Sequence, residues 1–288
     1  MRITVIGGAN VDISARAAGA FVAEDSNPGT VTVAPGGVAR NIAHNLALLG
    51  DEVRLVTVFG KDGFGRMLRE SCKASGLDLS LSKTVSRARN ACFVSLNSAD
   101  GDLLGGVSDM AVTSRMTPNW LEARMDSINE SDVVVADTNL PAETLALLVS
   151  CCKPPLYIDA VSSAKVVRLR EALAAVRLPG CGMIVVKCNR IEAATLMASN
   201  GIDGIDRLYV SLGSEGVEII EGEEHTTLPP LPAQGIVNTT GAGDALIAGI
   251  IHCGPEAPAA EAAAFGQKCA LYALQSPSAV NERLKELK

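Results

Sequence analysis

Short runs of apolar residues recur along the chain, and a segment with helical spacing of apolar positions follows most of them. These runs lie at residues 3–8, 53–60, 132–137, 155–160, 183–187 and 207–213. They are continuous rather than alternating, which is typical of strands covered on both faces in a mostly parallel sheet. Helices are predicted over Asn41–Leu49, Leu68–Ala74, Ala142–Ser150, Ala164–Ala175 and Ile191–Ala198. Regular alternation of strand and helix predicts a three-layer α/β fold with right-handed crossovers.

Two stretches, at about residues 14–35 and 88–110, interrupt this alternation. The second contains NACFVSLNSADGDLLGGV, which predicts a hairpin whose turn is formed by residues 99–102. We expect the two stretches to pair as a small β lid on a single domain that spans residues 1–288. Because a small two-faced sheet has little core of its own, we also expect a homodimer that forms through this lid.

Composition narrows the class of protein. Hydrophobic residues make up 48% of the 288 residues, the net charge is −7, and no run of Lys and Arg supplies a basic face. We therefore expect no nucleic-acid partner. The apolar run that begins at Ile3 is too short for a signal peptide or a membrane span, and the eight cysteines show no CxxC pair. These features indicate a cytoplasmic protein with no membrane partner.

The segment NTTGAGDALIAG at 238–249 contains the candidate chemistry. Glycines at the start of an apolar helix let backbone N–H groups converge, and the helix N-terminus adds partial positive charge, so the loop can bind a phosphate. Asp244 beside such an anion could accept a proton from an attacking hydroxyl. The alternative is an ordinary helix N-terminus with a favourably placed carboxylate. Neither the spacing GxGxxG nor a Walker A loop is present.

Four further segments occur in the order found in one enzyme family. They are PGGVARNIAHNLALLG at 35–50, VFGKDGFGRML at 58–68, KCNRIEA at 187–193 and VSLGSEGV at 210–217. Together with NTTGAGDALIAG they resemble the signatures of the ribokinase-like (PfkB) carbohydrate kinases, and the resemblance covers nearly the whole chain. It implies a ribokinase-like fold and transfer of a phosphoryl group from ATP, with Mg²⁺ as cofactor.

The resemblance also implies roles for individual residues. Asp244 would be the general base, and its amide would form the anion hole together with Gly241, Ala242 and Gly243. Asn189 and Glu192 would position Mg²⁺ and its waters. The nucleotide pocket would be shaped by Asn189, Ser211, Gly213 and Gly216. The sugar hydroxyls would be held by Asn10, Asp12, Gly36, Gly37 and Asn41.

A shorter motif bears on the acceptor. SNPG at 26–29, with DMAVTS at 109–114, VADTNL at 135–140 and IDAVSSAK at 158–165, resembles bacterial pseudouridine kinases. This implies transfer to the 5′-hydroxyl of a nucleoside, with Ser26 and Asn27 of the lid over the uracil base. The composition of SNPG is also typical of a plain surface turn. For Lys165 two roles are open: it either reaches the substrate or is a solvated helix residue. Kinases for adenosine, ribose or another sugar, and a non-catalytic ligand-binding protein, are the alternatives.

Three features depart from the family pattern. Asn238 stands where many members have the Asp of a monovalent-cation site, which puts potassium activation in doubt. Cys188 replaces a common proline. The connection from Ile191 to Leu208 is short, and it leaves no room for the further helix that family members usually carry there.

Overall fold

The computed structural model describes residues 1–200 and 203–288. In chain order the strands are β1 Arg2–Ile6, β2 Asn10–Ala17, β3 Gly29–Gly36, β4 Glu52–Val56, β5 Val58–Gly60, β6 Lys83–Val85, β7 Cys92–Asn97, β8 Leu103–Asp109, β9 Val133–Asp137, β10 Leu156–Asp159, β11 Ile184–Asn189, β12 Arg207–Ser211, β13 Val217–Glu221 and β14 Glu224–Leu228. The α-helices are α1 Val38–Leu49, α2 Gly63–Ala74, α3 Pro118–Glu122, α4 Met125–Asn129, α5 Ala142–Cys151, α6 Ser163–Leu173, α7 Arg190–Asn200, α8 Ala242–His252 and α9 Ala259–Leu274.

A large sheet forms the middle layer, with the strand order β14-β13-β12-β11-β10-β9-β1-β4 in the described chain. The strands from β12 to β4 pair in parallel, and β13 and β14 add an antiparallel edge. The predicted three-layer α/β fold with a mostly parallel sheet is therefore confirmed.

Both faces of the large sheet are covered, which explains the continuous apolar runs. In β9, Val134 packs with α5, α6 and α7 on one face. Its neighbours Val133 and Val135 pack with α1, α8 and α9 on the other face. Because successive side chains of a strand point to opposite faces, apolar residues are favoured on both faces of such a strand.

A smaller sheet has the order β3-β2-β7-β8 and lies in the two stretches that interrupt the predicted alternation. Its first strand begins at Asn10, earlier than the expected residue 14. The β7–β8 hairpin turns as predicted, because Ser98 N–H donates to the Asp102 carbonyl at 2.8 Å. Gly101, at φ +99°, adopts the left-handed conformation of this turn.

The apolar run at 53–60 was expected to be one strand, and this prediction is wrong. The chain forms β4 and β5 with Thr57 between them, and β5 leaves the large sheet to pair with β6. The Thr57 hydroxyl donates to the Gly7 carbonyl at 2.7 Å, so a polar contact replaces continued pairing. An apolar run alone does not reveal such a break.

Two further expectations concern the helices. The predicted helices correspond to α1, α2, α5, α6 and α7, although α1 and α2 begin earlier than expected. The short connection between Ile191 and Leu208 includes residues 201–202, which lie outside the described residues. In the described part of the chain, no helix has the length and apolar character needed to span a membrane.

Candidate active site

The predicted site residues lie mainly at one edge of the large sheet, where its parallel strands end. This edge is the usual ligand-binding position of open α/β sheets. Gly7 and Gly8 follow β1, Asp159 ends β10 and Asn189 ends β11. The N-termini of α1 and α8 meet at the same edge, since Asn41 of α1 donates to Asp244 of α8.

Asp244 occupies the first turn of α8 and is buried. Gly241 precedes the helix at φ +84°, and a Cβ atom there would collide with the carbonyl of Ala279. The residue must therefore be glycine for both conformational and steric reasons. The first amides of a helix have no intrahelical acceptor. The Ala242 amide donates to the Thr239 carbonyl at 3.3 Å, so the neighbouring amides of the 241–243 loop are the candidates for the predicted anion site.

A buried ion pair lies beside this loop. Lys187 Nζ donates to Asp159 Oδ2 at 3.0 Å, and both side chains are almost fully buried. A Cβ atom on Gly243 would lie 2.7 Å from Lys187 Nζ, so the ammonium group lies against the glycine loop. Although burial opposes its charge, the Asp159 and Asp244 carboxylates raise the pKa of Lys187. The raised pKa favours a charged ammonium group beside the loop that is predicted to bind an anion.

Burial also raises the pKa of Asp244 to about 7, and the nearby Asp159 carboxylate adds to the rise. The hydrogen bond from Asn41 and the charge of Lys187 act in the opposite direction. Asn41 Nδ2 donates to Asp244 Oδ2 at 2.8 Å, whereas no donor of the described residues reaches Oδ1. A carboxylate with a pKa near neutrality and one free oxygen is suited to general base catalysis.

The sugar-binding residues predicted from the sequence form a second group near the start of α1. Asn10 Nδ2 donates to Asp12 Oδ1 at 2.6 Å. A Cβ atom on Gly36 would collide with Asp12 Oδ2, and one on Gly37 would lie 2.5 Å from the Gly8 carbonyl. Burial raises the pKa of Asp12. The two glycines therefore leave space for a carboxylate that can accept hydrogen bonds from vicinal hydroxyls.

Asp137 holds these segments together, although sequence reasoning gave it no role. It is fully buried, and its Oδ2 accepts from the amides of Gly8 and Ala39, each at 3.0 Å. Its Oδ1 accepts from the Asn139 amide at 2.9 Å. Asp137 thus ties the end of β9 to the loop after β1 and to the first turn of α1.

Lys165 contacts the side-chain oxygen of Asn139, whose side-chain nitrogen donates to Asp137. Its Nζ donates to Asn139 Oδ1 at 2.6 Å, and burial lowers the pKa of the ammonium group. Lys165 is therefore partly buried in the first turn of α6 and bound to Asn139. Lys165 also lines a cavity of about 500 Å³ together with Thr113, Ser114 and Arg168.

On the nucleotide side, Asn189 and Glu192 form a reciprocal cap at the start of α7. Asn189 Oδ1 accepts from the Glu192 amide at 2.9 Å, while the Glu192 carboxylate accepts from Nδ2 and the main-chain N–H of Asn189 at 2.8 Å. Ser211 ends β12 and donates to the Cys188 carbonyl at 3.3 Å. Gly213 and Gly216 both have positive φ, and a Cβ atom on Gly216 would collide with the Leu228 carbonyl.

Ser26, Asn27 and Pro28 of the SNPG segment end the loop between β2 and β3, and Gly29 begins β3. Asn27 Oδ1 accepts from the Val22 amide at 2.8 Å, and Nδ2 donates to the Val22 carbonyl at 2.8 Å. The Asn27 side chain therefore closes its own loop. Within the described chain, no hydrogen bond joins Ser26 or Asn27 to Asp12 or Asp244, so their contact with a base stays a prediction.

Comparison with known proteins agrees with this geometry. The model of the pfkB family of carbohydrate kinases matches residues 1–286. The chain belongs to the pfkB family. It is 33% identical to the pseudouridine kinase of Escherichia coli K12 over 94% of this chain and 90% of that protein.

Solved structures of pfkB-like kinases show the same fold. A carbohydrate kinase from Agrobacterium tumefaciens has a TM-score of 0.83 and 28% identity, over 99% of this chain and 96% of that one. A ribokinase from Arabidopsis thaliana complexed with ribose and ATP has a TM-score of 0.82 and 18% identity, over 99% and 97%. The chain is thus a nucleoside or sugar kinase, a phosphotransferase with a hydroxyl acceptor.

Mg²⁺ binds oxygen ligands, keeps several waters and usually takes only one or two carboxylates from a protein. Among the described residues, no group of three His, Cys, Asp or Glu side chains is arranged to hold a metal ion. The Glu192 and Asp159 carboxylates nevertheless lie close enough to influence the charge of Lys187. This sparse oxygen donor set fits an ion that is bound mainly by water and nucleotide phosphates.

Lys187, Asp159 and Asp137 are the site residues that sequence reasoning missed. All three stand inside segments that the family resemblance had drawn attention to: KCNRIEA, IDAVSSAK and VADTNL. Asp137 and Asp159 each end a buried apolar strand, and Lys187 lies inside the buried strand β11, two residues before its end. A charged residue in that position is the signal that could have identified them, because unpaired buried charges are costly.

Proposed function

We propose that this kinase transfers the γ-phosphoryl group of ATP to the 5′-hydroxyl of pseudouridine, and releases ADP and pseudouridine 5′-phosphate. The observation that carries the proposal is the buried Asp244 at the N-terminus of α8, with one carboxylate oxygen bound to Asn41 and the other free. Adenosine, ribose and other sugars are the alternative acceptors.

Asp244 Oδ1 accepts the proton of the acceptor hydroxyl as the oxygen attacks the γ-phosphorus. The bond from the γ-phosphorus to the bridging oxygen of ADP breaks, and its electron pair leaves with ADP. The first-turn amides of α8 and the Lys187 ammonium group stabilise the charge on the transferred group. Burial places the pKa of Asp244 near 7, where it can both take and return a proton.

ATP lies along the edge formed by Asn189, Ser211, Gly213 and Gly216. Positive φ at the two glycines lets the backbone turn closely around the nucleotide. Bound Mg²⁺ supplies positive charge to the phosphates. Glu192, through water, and the capped Asn189 would hold that ion and its waters near the phosphates, while the loop at 241–243 binds the phosphate itself.

Three observations support pseudouridine as the acceptor. Asp12 and Asn10 present oxygen and nitrogen atoms suited to ribose hydroxyls. The SNPG loop between β2 and β3 is part of the small sheet that begins at these residues. The chain is also 33% identical to an E. coli pseudouridine kinase. In this arrangement the small sheet is a lid, and Ser26 and Asn27 contact the uracil base when it closes.

The lid also offers a surface for a homodimer. One face of the small sheet contains Asp12, Ser14 and other polar residues. The opposite face contains an apolar row. In this row Ile13 of β2 pairs with Val33 on one side and with Val94 on the other, and Val94 pairs with Val107. Val33, Val94 and Val107 are 48%, 38% and 71% exposed. An apolar row that crosses the whole sheet is stabilised when a second copy covers it.

The acceptor is tested by measuring ADP release from MgATP with pseudouridine, uridine, adenosine and ribose. We expect the highest kcat/KM with pseudouridine and none with 5′-deoxypseudouridine, which lacks the reacting hydroxyl. A Ser26→Ala variant should raise KM for pseudouridine and leave KM for ATP unchanged. A higher kcat/KM with adenosine or ribose would refute the acceptor while preserving kinase activity.

A further inference from the structure

Arg40 is a buried arginine of α1 that lies next to Asn41 in sequence and contacts it. Arg40 is only 5% exposed, and its NH1 group donates to Asn41 Oδ1 at 3.2 Å. Its NH2 group lies 3.3 Å from His44 Nδ1 and donates to Ser71 Oγ at 3.4 Å. A chain of side-chain contacts therefore runs from Arg40 through Asn41 to Asp244.

The direction of these hydrogen bonds is set by the chemistry of arginine. A guanidinium group has donors only, so the Asn41 atom that faces Arg40 must be the amide oxygen. The amide nitrogen of Asn41 must then face Asp244, and it donates to Oδ2 at 2.8 Å. If the amide rotated by 180°, two donors would face each other at Arg40.

We propose that Arg40 is a positioning residue that locks the Asn41 amide with Nδ2 towards Asp244, so that Oδ2 always accepts and only Oδ1 can take the acceptor proton. The consequence for the rate rests on the proposed function, in which Asp244 is the base. The lock itself is a property of the three side chains and is independent of the acceptor.

The lock matters most when Asp244 is protonated. A freely rotating Asn41 amide could turn its oxygen to the carboxylic acid and accept a hydrogen bond from it, which would stabilise the protonated form. Arg40 prevents this arrangement, because the turned amide would present its NH2 group to the guanidinium donors. Loss of Arg40 should therefore raise the pKa of Asp244. The proton could then reside on either carboxylate oxygen, Oδ1 or Oδ2.

Other charged groups lie near this chain of contacts, and their effect on the pKa of Asp244 must be distinguished from the effect of the lock. Asp244 is near Asp159, Lys187 and Asp137. Arg40 is near Asp12 of β2, Glu282 of the C-terminal segment and the Cys72 thiol of α2. His44 joins Arg40 to Glu282, because its Nε2 lies 3.3 Å from the Glu282 carboxylate. None of these groups holds the Asn41 amide, so removing Asn41 isolates the effect of the lock from the effect of charge.

The test measures the pKa of Asp244 directly, by carboxyl ¹³C NMR titration of the full-length protein without substrates, with Asp244→Asn to assign the resonance. Arg40→Met should raise this pKa by about 0.5–1 unit, a ~3–10-fold change in proton affinity. Arg40→Lys, which keeps a charge and a donor, should restore most of the original value. Arg66→Met, an exposed arginine of α2, is the matched control and should change nothing.

A double-mutant cycle decides whether Arg40 acts through Asn41. In an Asn41→Ala background, Arg40→Met should shift the pKa by less than about 0.2 unit. An equal shift in both backgrounds would show a simple charge effect and overturn the lock, as would no shift in Arg40→Met. If Arg40→Met does not fold, the same cycle with Arg40→Gln gives the same decision, because Gln removes the charge and can accept from a turned Asn41 amide. Because the NMR readout needs no turnover, an inactive protein would refute the proposed function and leave this inference standing.

Discussion

The Lys187–Asp159 pair should be the most sensitive electrostatic contact of the site, and Lys187→Met removes its cation while keeping the length of the side chain. In the structure the pair is joined at 3.0 Å, with both side chains at most 9% exposed. Lys187 also offsets the charge of Asp244. The substitution therefore leaves two buried carboxylates at the same strand edge with no cation beside them.

The distance gives the size of the effect. At 3.0 Å and an effective dielectric constant of about 20, the attraction between the two charges is about 5–6 kcal/mol. The net loss is smaller, because removing one partner of a buried pair typically costs about 3–5 kcal/mol. Replacing both partners by apolar groups removes the uncompensated charge. We therefore expect Lys187→Met to lower the free energy of unfolding by about 3–5 kcal/mol, and Lys187→Met/Asp159→Leu to recover more than half of that loss.

Urea unfolding at pH 8 and pH 5.5 measures both effects. In Lys187→Met the pKa of Asp244, already raised by burial, rises further. A carboxyl whose folded pKa lies above its unfolded pKa destabilises the protein at high pH, so the stability loss should shrink as the pH falls. A single variant that loses less than about 1 kcal/mol, or a double variant as unstable as the single one, would refute the reasoning.

Three further predictions follow from the glycine loop, the base and the lid. Gly241→Ala should lower kcat at least tenfold, because its Cβ atom would collide with the Ala279 carbonyl. Gly235→Ala, also at positive φ but with open space around it, should leave kcat unchanged, and equal losses in both variants would contradict the steric argument. Because burial raises the pKa of Asp244 to about 7, kcat should fall about tenfold per pH unit below pH 7, and a flat profile from pH 5.5 to pH 8 would exclude this base. Val107→Asp should convert a dimer to a monomer in light scattering with kcat unchanged at saturating substrate, and an unchanged mass would remove the lid from the interface.

The fold was predictable because local pattern and tertiary structure agree. Strands such as β9 are apolar at successive positions up to the final Asp137, and this property follows directly from helices on both faces of the sheet. The break at Thr57 was not predictable in this way, since it depends on a hydrogen bond to Gly7, which is distant in sequence. Similarly, the antiparallel edge formed by β13 and β14 shows no continuous apolar run.

The site was predictable where glycines mark it. Gly241 and Gly37 are required by backbone conformation and close approach, so they appear as motifs in the sequence. Lys187 and Asp159 were not predictable as a pair, because two separate strands bring them together only in the folded sheet. For the same reason, the chain of contacts from Arg40 through Asn41 to Asp244 was not predictable, because α1 and α8 meet only in the folded protein.

The most direct test of the account is the turnover of MgATP and pseudouridine by the wild type and by Asp244→Asn. Replacing the carboxylate with an amide keeps the size of the side chain and removes the base, so kcat should fall by about 10²–10⁴-fold. Asp132→Asn, at an exposed carboxylate before the start of β9 and so at the opposite end of that strand from Asp137, should retain full kcat. A loss much smaller than tenfold in Asp244→Asn, with the control unchanged, would contradict the assignment of Asp244 as the general base.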